Sequence, residues 1–315
     1  MLDTVQVKNG EFAADVLEGL GLPQKTLPCR WLYDARGSQL FEEITDLPEY
    51  YPTRTETKIL EDCRSEIAAA AGRGATLVEY GSGASVKTRL LLDRFDALHC
   101  YVPIDVSASF LEDTADQLRR DYPSLSIKSV VGDFLSPIAV PSEARGAGRT
   151  VGFFPGSTIG NLSNAEISDF FQRARQDLGD GASFVLGVDL KKDVGRLIPA
   201  YDDAAGITAA FNLNILKRIN RELDGTFALE QFAHEARWNE DASRVEMHLV
   251  SQRDQTVRVG DTKIGFAEGE SIHTENSRKF ALDELMQLAE VQGWTLSQSW
   301  MDDEKLFSVV MLDAA

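Results

Sequence analysis

Apolar residues in the middle of the chain form short runs that each end near a glycine or an acidic residue. The clearest run is Thr76–Tyr80, which stops at Gly81 and is followed by an amphipathic stretch over 87–92. Similar apolar runs occupy 98–106, 126–131, Thr150–Phe154 and 182–190. Short apolar runs that alternate with helical periodicity are typical of buried parallel strands joined by helices. The pattern therefore predicts an α/β fold with a Rossmann-like sheet.

The α/β alternation changes after residue 190. Residues 191–223 have helical periodicity, whereas 227–280 alternate apolar and polar positions with turn signals at 239–241 and 260–261. This pattern predicts an antiparallel sheet with helices. A final helix over 280–292 and a hairpin over 296–300 and 306–312 complete the chain. We therefore expect a second, α+β domain inserted into the first, with one domain formed by 56–191 plus 280–315 and the other by 1–55 plus 192–279.

Charge and composition narrow the classes of partner. The chain has 32 Lys and Arg against 50 Asp and Glu, a net charge of −18, and it has no basic run, so we expect neither nucleic acid nor an anionic membrane as a partner. Its three cysteines lack a CxxC motif, and its four histidines lack HxH or HExxH spacing. We therefore expect no metal site. The first residues do not resemble a signal peptide, and we expect a cytoplasmic monomer.

The turn after the run Thr76–Tyr80 carries two glycines, Gly81 and Gly83, and Val86 stands where a dinucleotide fingerprint would have its third glycine. Glu79 precedes the first glycine by two residues. This arrangement is similar to the first motif of class I S-adenosylmethionine-dependent methyltransferases, whose cofactor has a cationic sulfonium and no pyrophosphate. Taken alone, a Gly-x-Gly motif fits an ordinary tight βα turn equally well.

Two further strand ends carry acidic residues at suitable spacing. Asp105 ends the second run, about 20 residues beyond the glycine turn, where a carboxylate can accept both ribose hydroxyls. Asp133 and Phe134 follow the third run, where a carboxylate can accept from an adenine amino group and a ring can cover the base. Each Asp alone also fits a helix cap or a turn. The three features together predict an adenosyl cofactor.

The loop 155–162 follows the fourth run and should face the reactive end of that cofactor. Gly156 leaves its backbone accessible, and Asn161 offers an acceptor and two donors to an amino group. Upstream, a dense segment over 31–56 contains Tyr33, Tyr50 and Tyr51. These tyrosines fit either a pocket wall or plain packing.

Long motifs over nearly the whole chain resemble the histidine-specific N-alpha-methyltransferases of ergothioneine biosynthesis. They are WLYDARGSQLFEEITDLPEYYPTRTE, EYGSGASVKTRLLL, FFPGSTIGNL, AYDDAAGITAAFN and HTENSRKF. The resemblance implies a class I methyltransferase sheet plus an inserted substrate-binding domain, with histidine bound between them. It also implies that L-histidine is methylated three times at its α-amine to hercynine, with S-adenosylmethionine consumed and S-adenosylhomocysteine released.

The resemblance also assigns residues. The implied cofactor residues are Gly81, Lys87, Asp105, Asp133 and Phe134. The implied histidine-binding residues are Tyr33, Tyr51, Gly156, Asn161, Tyr201, Met247, Glu275 and Ser277, with Asn276 beside them. Of these, Asn161, Tyr51 and Gly156 are the expected catalytic group, and Glu275 with Ser277 would hold the imidazole.

Two positions depart from the family pattern. Tyr80 replaces a commoner aliphatic residue, and Asn276 replaces a commoner β-branched apolar one. Alternatives from the residues alone are methylation of another amino acid such as tryptophan or of another small amine, and a non-catalytic S-adenosylmethionine-binding module. A nicotinamide dehydrogenase is disfavoured by the missing third glycine.

Overall fold

The computed structural model of the protein describes residues 2–83 and 85–315, with side chains described from residue 10 onward. Ala84 of the predicted glycine turn lies outside the described residues. The helices are α1 (Leu2–Leu20), α2 (Ala35–Thr45), α3 (Tyr51–Ala71), α4 (Val86–Leu92), α5 (Ala108–Asp121), α6 (Asn164–Leu178), α7 (Val194–Tyr201), α8 (Ile207–Glu222) and α9 (Leu282–Val291). None of the described helices is both long and apolar enough to cross a membrane.

The strands belong to three sheets. They are β1 (Lys25–Thr26), β2 (Thr76–Tyr80), β3 (Cys100–Asp105), β4 (Ser126–Ile127), β5 (Val130–Val131), β6 (Thr150–Phe154), β7 (Ser183–Asp189), β8 (Phe232–Asn239), β9 (Arg244–Ser251), β10 (Gln255–Val259), β11 (Thr262–Phe266), β12 (Ser271–Arg278), β13 (Trp294–Met301) and β14 (Phe307–Ala314). Strands β10 and β11 form a separate antiparallel hairpin whose turn is the predicted one at 260–261.

The chain divides into two compact units. One comprises 1–50 and 193–277, and the other comprises 51–192 and 278–315. We call them the split unit and the sheet unit. Since the predicted boundaries were 55/56, 191/192 and 279/280, each differs from the corresponding unit boundary by a few residues. The roles that we assigned to the two parts of the chain remain proposals.

The sheet unit contains an eight-stranded, mostly parallel sheet in the order β13-β14-β7-β6-β2-β3-β4, with β5 paired to β3. Strand β2 pairs in parallel with both β3 and β6, and β14 pairs antiparallel with β7 and β13. Every residue of β2 is buried. Its side chains alternate between two apolar cores, with Leu77 in one and Val78 in the other. The predicted class I α/β fold is therefore confirmed, with helices covering both faces of the sheet.

Some element bounds differ from the prediction. Helix α3 begins at Tyr51, five residues before the predicted domain boundary, because Pro52 is tolerated in a first helical turn, where its missing amide has no partner to lose. The predicted strand 126–131 is divided into β4 and β5, each two residues long. Tyr80 packs edgewise on Phe154, Phe170 and Phe184, with ring centroids 5.4–6.3 Å apart, so this departure from the family pattern completes an aromatic cluster.

The split unit contains a four-stranded sheet in the order β1-β12-β9-β8. Strands β8 and β9 pair antiparallel, as expected, whereas β1 pairs in parallel with β12 through Lys25–Ile272 and Thr26–His273. Helix α8 packs against α2 and against β8 and β9. Helices α7 and α8 lie within the predicted helical stretch 191–223, and strands β8 to β12 lie within the predicted alternating stretch 227–280.

Candidate active site

The glycine turn and Asp105 meet at the carboxyl edge of the parallel sheet. Gly81 and Gly83 have φ of 72° and 48°, a backbone region that favours glycine and lets the chain reverse direction directly after β2. The amide of Gly81 donates to the carbonyl of Ile104 at 2.9 Å, and the amide of Gly83 donates to Oδ2 of Asp105 at 3.0 Å. Two predicted cofactor residues, Gly81 and Asp105, are thus close together because β2 and β3 are adjacent and parallel.

Asp105 is a largely buried carboxylate. Its Oδ1 accepts from the amide of Ser107 at 2.9 Å. Burial raises the pKa of the Asp105 carboxyl, whereas the amides of Ser107 and Gly83 lower it. Each carboxylate oxygen accepts from one backbone amide and keeps a further lone pair that can accept from a ligand hydroxyl group, as a ribose requires.

Asp133 and Phe134 follow the neighbouring strand β5, whose Val131 pairs with Asp105. Oδ1 of Asp133 accepts from the amide of Leu135 at 2.9 Å. The ring of Phe134 packs edgewise on Phe154 and Phe170, with centroids 5.1 and 5.8 Å away. Both residues therefore lie on the same sheet edge as Asp105, and the adenine contacts assigned to them remain predictions.

Lys87 and Gly156 are connected through Glu56, a residue that we did not select from the sequence. Glu56 is fully buried in α3 and forms an ion pair with Nζ of Lys87. The amide of Gly156 donates to both carboxylate oxygens of Glu56, at 3.0 and 2.8 Å. Glu56 therefore fixes the predicted cofactor lysine and the loop after β6 with a single carboxylate.

Tyr51 belongs to a second buried network that sequence reasoning missed. Its hydroxyl lies 2.8 Å from each carboxylate oxygen of Asp189 and accepts from Nζ of Lys192 at 2.7 Å. Lys192 also pairs with Asp189, and Nζ of Lys279 donates to Oδ2 of Asp189 at 2.7 Å. The amide of Asp189 donates to Oγ of Ser157 at 2.9 Å. This network is therefore attached to the loop that was expected to face the reactive end of the cofactor.

Asn161 is the last residue of a 3₁₀ turn, Thr158–Asn161, that follows this loop. The turn packs closely on the chain at Arg278, since a methyl group on Gly160 would lie 2.8 Å from the Arg278 carbonyl oxygen. Helix α6 then begins with a capping box formed by Ser163 and Glu166. The backbone is thus fixed on both sides of Asn161. The contact of the Asn161 side chain with an amine remains a prediction.

The split unit brings together four of the predicted histidine-binding residues as two hydrogen-bonded pairs. The hydroxyl of Tyr33 donates to Oε1 of Glu275 at 3.1 Å, and the hydroxyl of Tyr201 lies 2.7 Å from Oγ of Ser277. Burial, followed by the nearby Glu275, raises the pKa of the Tyr33 hydroxyl well above its usual value. Tyr33 therefore remains a neutral donor to the Glu275 carboxylate.

Met247 and Asn276 occupy adjacent strands of the same sheet. Met247 is buried on β9, and its carbonyl accepts from Oγ1 of Thr274 on β12 at 3.0 Å. Oδ1 of Asn276 is buried and has no hydrogen-bond partner among the described residues. Burying an acceptor without a hydrogen-bond donor costs free energy. A bound ligand that donates a hydrogen bond to Oδ1 of Asn276 would remove this cost.

One group of described residues could hold a metal ion: Glu246, His248 and His273, whose ligand atoms lie within 4.8 Å of one another. These side chains already have protein partners. Nε2 of His248 is 3.1 Å from Oε2 of Glu246, Arg244 pairs with the other oxygen at 2.6 Å, and Nε2 of His273 is 3.1 Å from the Glu275 carbonyl. The metal-binding motifs HxH and HExxH could not reveal this group, because Glu246 and His248 lie on β9 whereas His273 lies on β12.

Comparisons with known proteins identify relatives of this chain. The model of a family described as S-adenosylmethionine-dependent, histidine-specific methyltransferases matches residues 12–314. A histidine N-alpha-methyltransferase of Mycolicibacterium smegmatis is 46% identical over 295 residues, covering 91% of this chain and 90% of that protein. Ergothioneine biosynthesis protein 1 of Neurospora crassa is 30% identical over 286 residues, covering 88% of this chain and 32% of that protein.

A solved structure supports the fold. The S-adenosylmethionine-dependent methyltransferase from Clostridium acetobutylicum superposes with a TM-score of 0.53 at 10% identity, covering 88% of this chain and 98% of that one.

Proposed function

Because the chain belongs to the family of S-adenosylmethionine-dependent, histidine-specific methyltransferases, we propose that it methylates the α-amine of L-histidine three times. The product is hercynine, the trimethyl betaine of histidine, and the pathway is ergothioneine biosynthesis. The two hydrogen-bonded pairs Tyr33–Glu275 and Tyr201–Ser277 carry this proposal, since they offer a carboxylate and a hydroxyl to the two nitrogens of an imidazole.

The cofactor residues lie in the sheet unit. Gly81 and Gly83 would let the backbone approach S-adenosylmethionine, Asp105 would accept from its ribose, and Asp133 with Phe134 would contact its adenine. Lys87, held by Glu56, would meet its carboxylate. The glycine turn supports a cofactor without pyrophosphate, because Val86 stands where the fingerprint of a dinucleotide-binding turn would have its third glycine. When bound, S-adenosylmethionine supplies an electrophilic methyl group on a cationic sulfur.

The protein's contribution at the amine is positioning. Asn161, Tyr51 and the backbone of Gly156 would orient the nitrogen lone pair, and an amide such as Asn161 can accept from an amine without holding an ammonium as firmly as a carboxylate would. Met247 would line the imidazole pocket, with Asn276 close to it. Positioning of this kind can account for much of the rate of a displacement reaction. We therefore propose that L-histidine and its mono- and dimethyl forms share one site.

Further properties follow from the same proposal. The displacement needs no Lewis acid, so we propose an enzyme that acts without a metal ion. With a net charge of −18 it should not bind nucleic acid or anionic membranes. We place it in the cytoplasm as a monomer.

The test is mass spectrometry of L-histidine incubated with the protein and S-adenosylmethionine, with and without a chelator. Masses of mono-, di- and trimethylhistidine are expected in both samples, with one S-adenosylhomocysteine released for each methyl group transferred. A parallel panel with tryptophan and other amino acids should give little product. Methylation of a different amino acid in place of histidine would overturn the substrate assignment, and cofactor binding without any turnover would indicate a binding module.

A further inference from the structure

The hydrogen-bonded network at the end of β7 contains two lysines and one aspartate. Asp189 pairs with both Lys192 and Lys279, and the Tyr51 hydroxyl contacts Asp189 and Lys192. Lys279 has no exposed side-chain surface, whereas Lys192 retains 7% exposure. One lysine therefore balances the buried carboxylate, and the other is a second amine with access to water.

Its place in the fold puts this second amine near the chemistry. Asp189 is the last residue of β7, and its amide is bound by Ser157 of the loop that follows the adjacent parallel strand β6. Ligands of open α/β sheets bind just beyond such strand ends. The Tyr51 hydroxyl lies at this edge, and Nζ of Lys192 lies 2.7 Å from the hydroxyl oxygen.

The proposed reaction requires an outlet for protons. An α-amine is largely protonated near neutral pH, and an ammonium has no lone pair with which to attack a methyl group. After the first and second transfers the nitrogen again carries a proton, which must leave before the next transfer. Three methylations therefore need repeated deprotonation at one nitrogen atom.

We propose that Lys192, acting through the Tyr51 hydroxyl, accepts these protons; this inference rests on the proposed histidine methylation. When Lys192 is neutral, the Tyr51 hydroxyl turns from Asp189 to Nζ of Lys192. A proton then passes from the substrate ammonium to Oη of Tyr51 while the hydroxyl proton of Tyr51 passes to the neutral Nζ of Lys192. One N–H bond breaks on the substrate, one forms on Lys192, and the electron pair stays on the substrate nitrogen. Lys192 then returns the proton to water through its exposed edge.

The electrostatic surroundings suit such an acceptor. Burial is the largest effect and lowers the pKa of Lys192 to about 8, with Lys279 acting in the same direction and Asp189 and Asp302 opposing it. The Tyr51 ring also lies 4.4 Å from Nζ. This pKa is well below the ordinary value of a lysine, about 10.4, so a neutral Nζ that can accept a proton is available near pH 8.

The experiment compares wild type, Lys192→Arg and Lys192→Met with the control Lys191→Met, which removes the neighbouring, partly exposed lysine paired with Glu284. Arginine keeps a positive charge beside Asp189 but cannot accept a proton. We measure single-turnover formation of methylhistidine between about pH 6.5 and 9.5. Wild type and the control should show a rate that rises with a midpoint near 8. Lys192→Arg should lose this midpoint and be roughly tenfold to a hundredfold slower.

A second readout does not depend on turnover. In protein labelled with ¹³C-lysine, the resonance absent from Lys192→Arg should titrate with a midpoint near 8. A midpoint near the ordinary value of about 10.4 would overturn the relay. A wild-type rate and pH profile in Lys192→Arg would do the same, even if Lys192→Met fails to fold. Wild-type protein that binds cofactor but never methylates histidine would instead overturn the proposed function.

Discussion

Gly187 in β7 faces the carboxylate of Glu56 so closely that a methyl group on residue 187 would overlap Oε1 and lie 3.0 Å from Cδ. The same carboxylate binds Lys87 and the amide of Gly156. Because Gly187 has no side chain, β7 leaves room for the buried carboxylate that Glu56 of α3 contributes to the site.

Replacing Gly187 by alanine should displace Glu56 and leave Lys87 without its ion-pair partner. We expect a loss of about 2 to 4 kcal/mol in the free energy of unfolding, from overpacking and from the broken pair. Urea unfolding monitored by circular dichroism measures it. The control is Gly265→Ala in β11, where an added methyl group meets no atom within 4 Å. Equal stability of the two variants would contradict the role of Gly187.

Replacing Asp105 by asparagine should weaken S-adenosylmethionine and S-adenosylhomocysteine binding by roughly tenfold to a hundredfold, because hydrogen bonds to a charged acceptor contribute about 1.5 to 3 kcal/mol. Isothermal titration calorimetry measures this change. Asp113→Asn, an exposed substitution on α5, should leave the Kd unchanged. An unaltered Kd in Asp105→Asn would show that this strand end does not bind the ribose.

Replacing Glu275 by alanine should reduce histidine affinity by more than about tenfold, because a charge-assisted hydrogen bond to the imidazole is lost. Cofactor affinity should survive. Calorimetric titration with each ligand separates the two effects. Glu235→Ala on β8 removes a carboxylate that is half exposed and paired with Arg237, and it serves as the control. Histidine binding of wild-type strength would remove Glu275 from the pocket.

Glu79 should make stability depend on pH. Burial raises the pKa of this carboxyl to about 8 from an ordinary 4.5, although hydrogen bonds from Tyr101 and Thr88 lower it. Between these two values the folded chain binds a proton that the unfolded chain does not, so the stabilisation present at low pH is lost as the pH rises toward 8.

The neutral variant Glu79→Gln should remove this dependence. Relative to wild type, it should gain about 1 to 3 kcal/mol of unfolding free energy between pH 5 and pH 8. Urea unfolding at both pH values, with exposed Glu61→Gln as the control, measures the difference. Parallel curves for Glu79→Gln and wild type would mean that Glu79 is ionised throughout.

The sequence predicts strands well where burial and turns coincide. The bounds of β2 and β6 agree with the prediction because each is a buried apolar run ended by glycine or proline, and Asp105 is located by the end of its strand. Glu56 and Asp189 could not be selected in this way, because their partners lie far away in sequence, for example 100 residues for Glu56 and Gly156. The sequence offered one signal, Gly187 within the apolar strand β7, because a glycine inside a strand often marks a place where another group approaches the backbone closely.

The parallel pairing of β1 with β12 has a consequence for biosynthesis. As the protein emerges from the ribosome, the segment around Lys25 and Thr26 has no strand to join until Ile272 and His273 have been made. Strand β14, which lies between β7 and β13, is made later still. Contacts between such distant segments form slowly and leave apolar surfaces uncovered in the nascent chain. The sheet of the split unit therefore cannot be completed before β12 has been made, and the sheet of the sheet unit cannot be completed before β14 has been made.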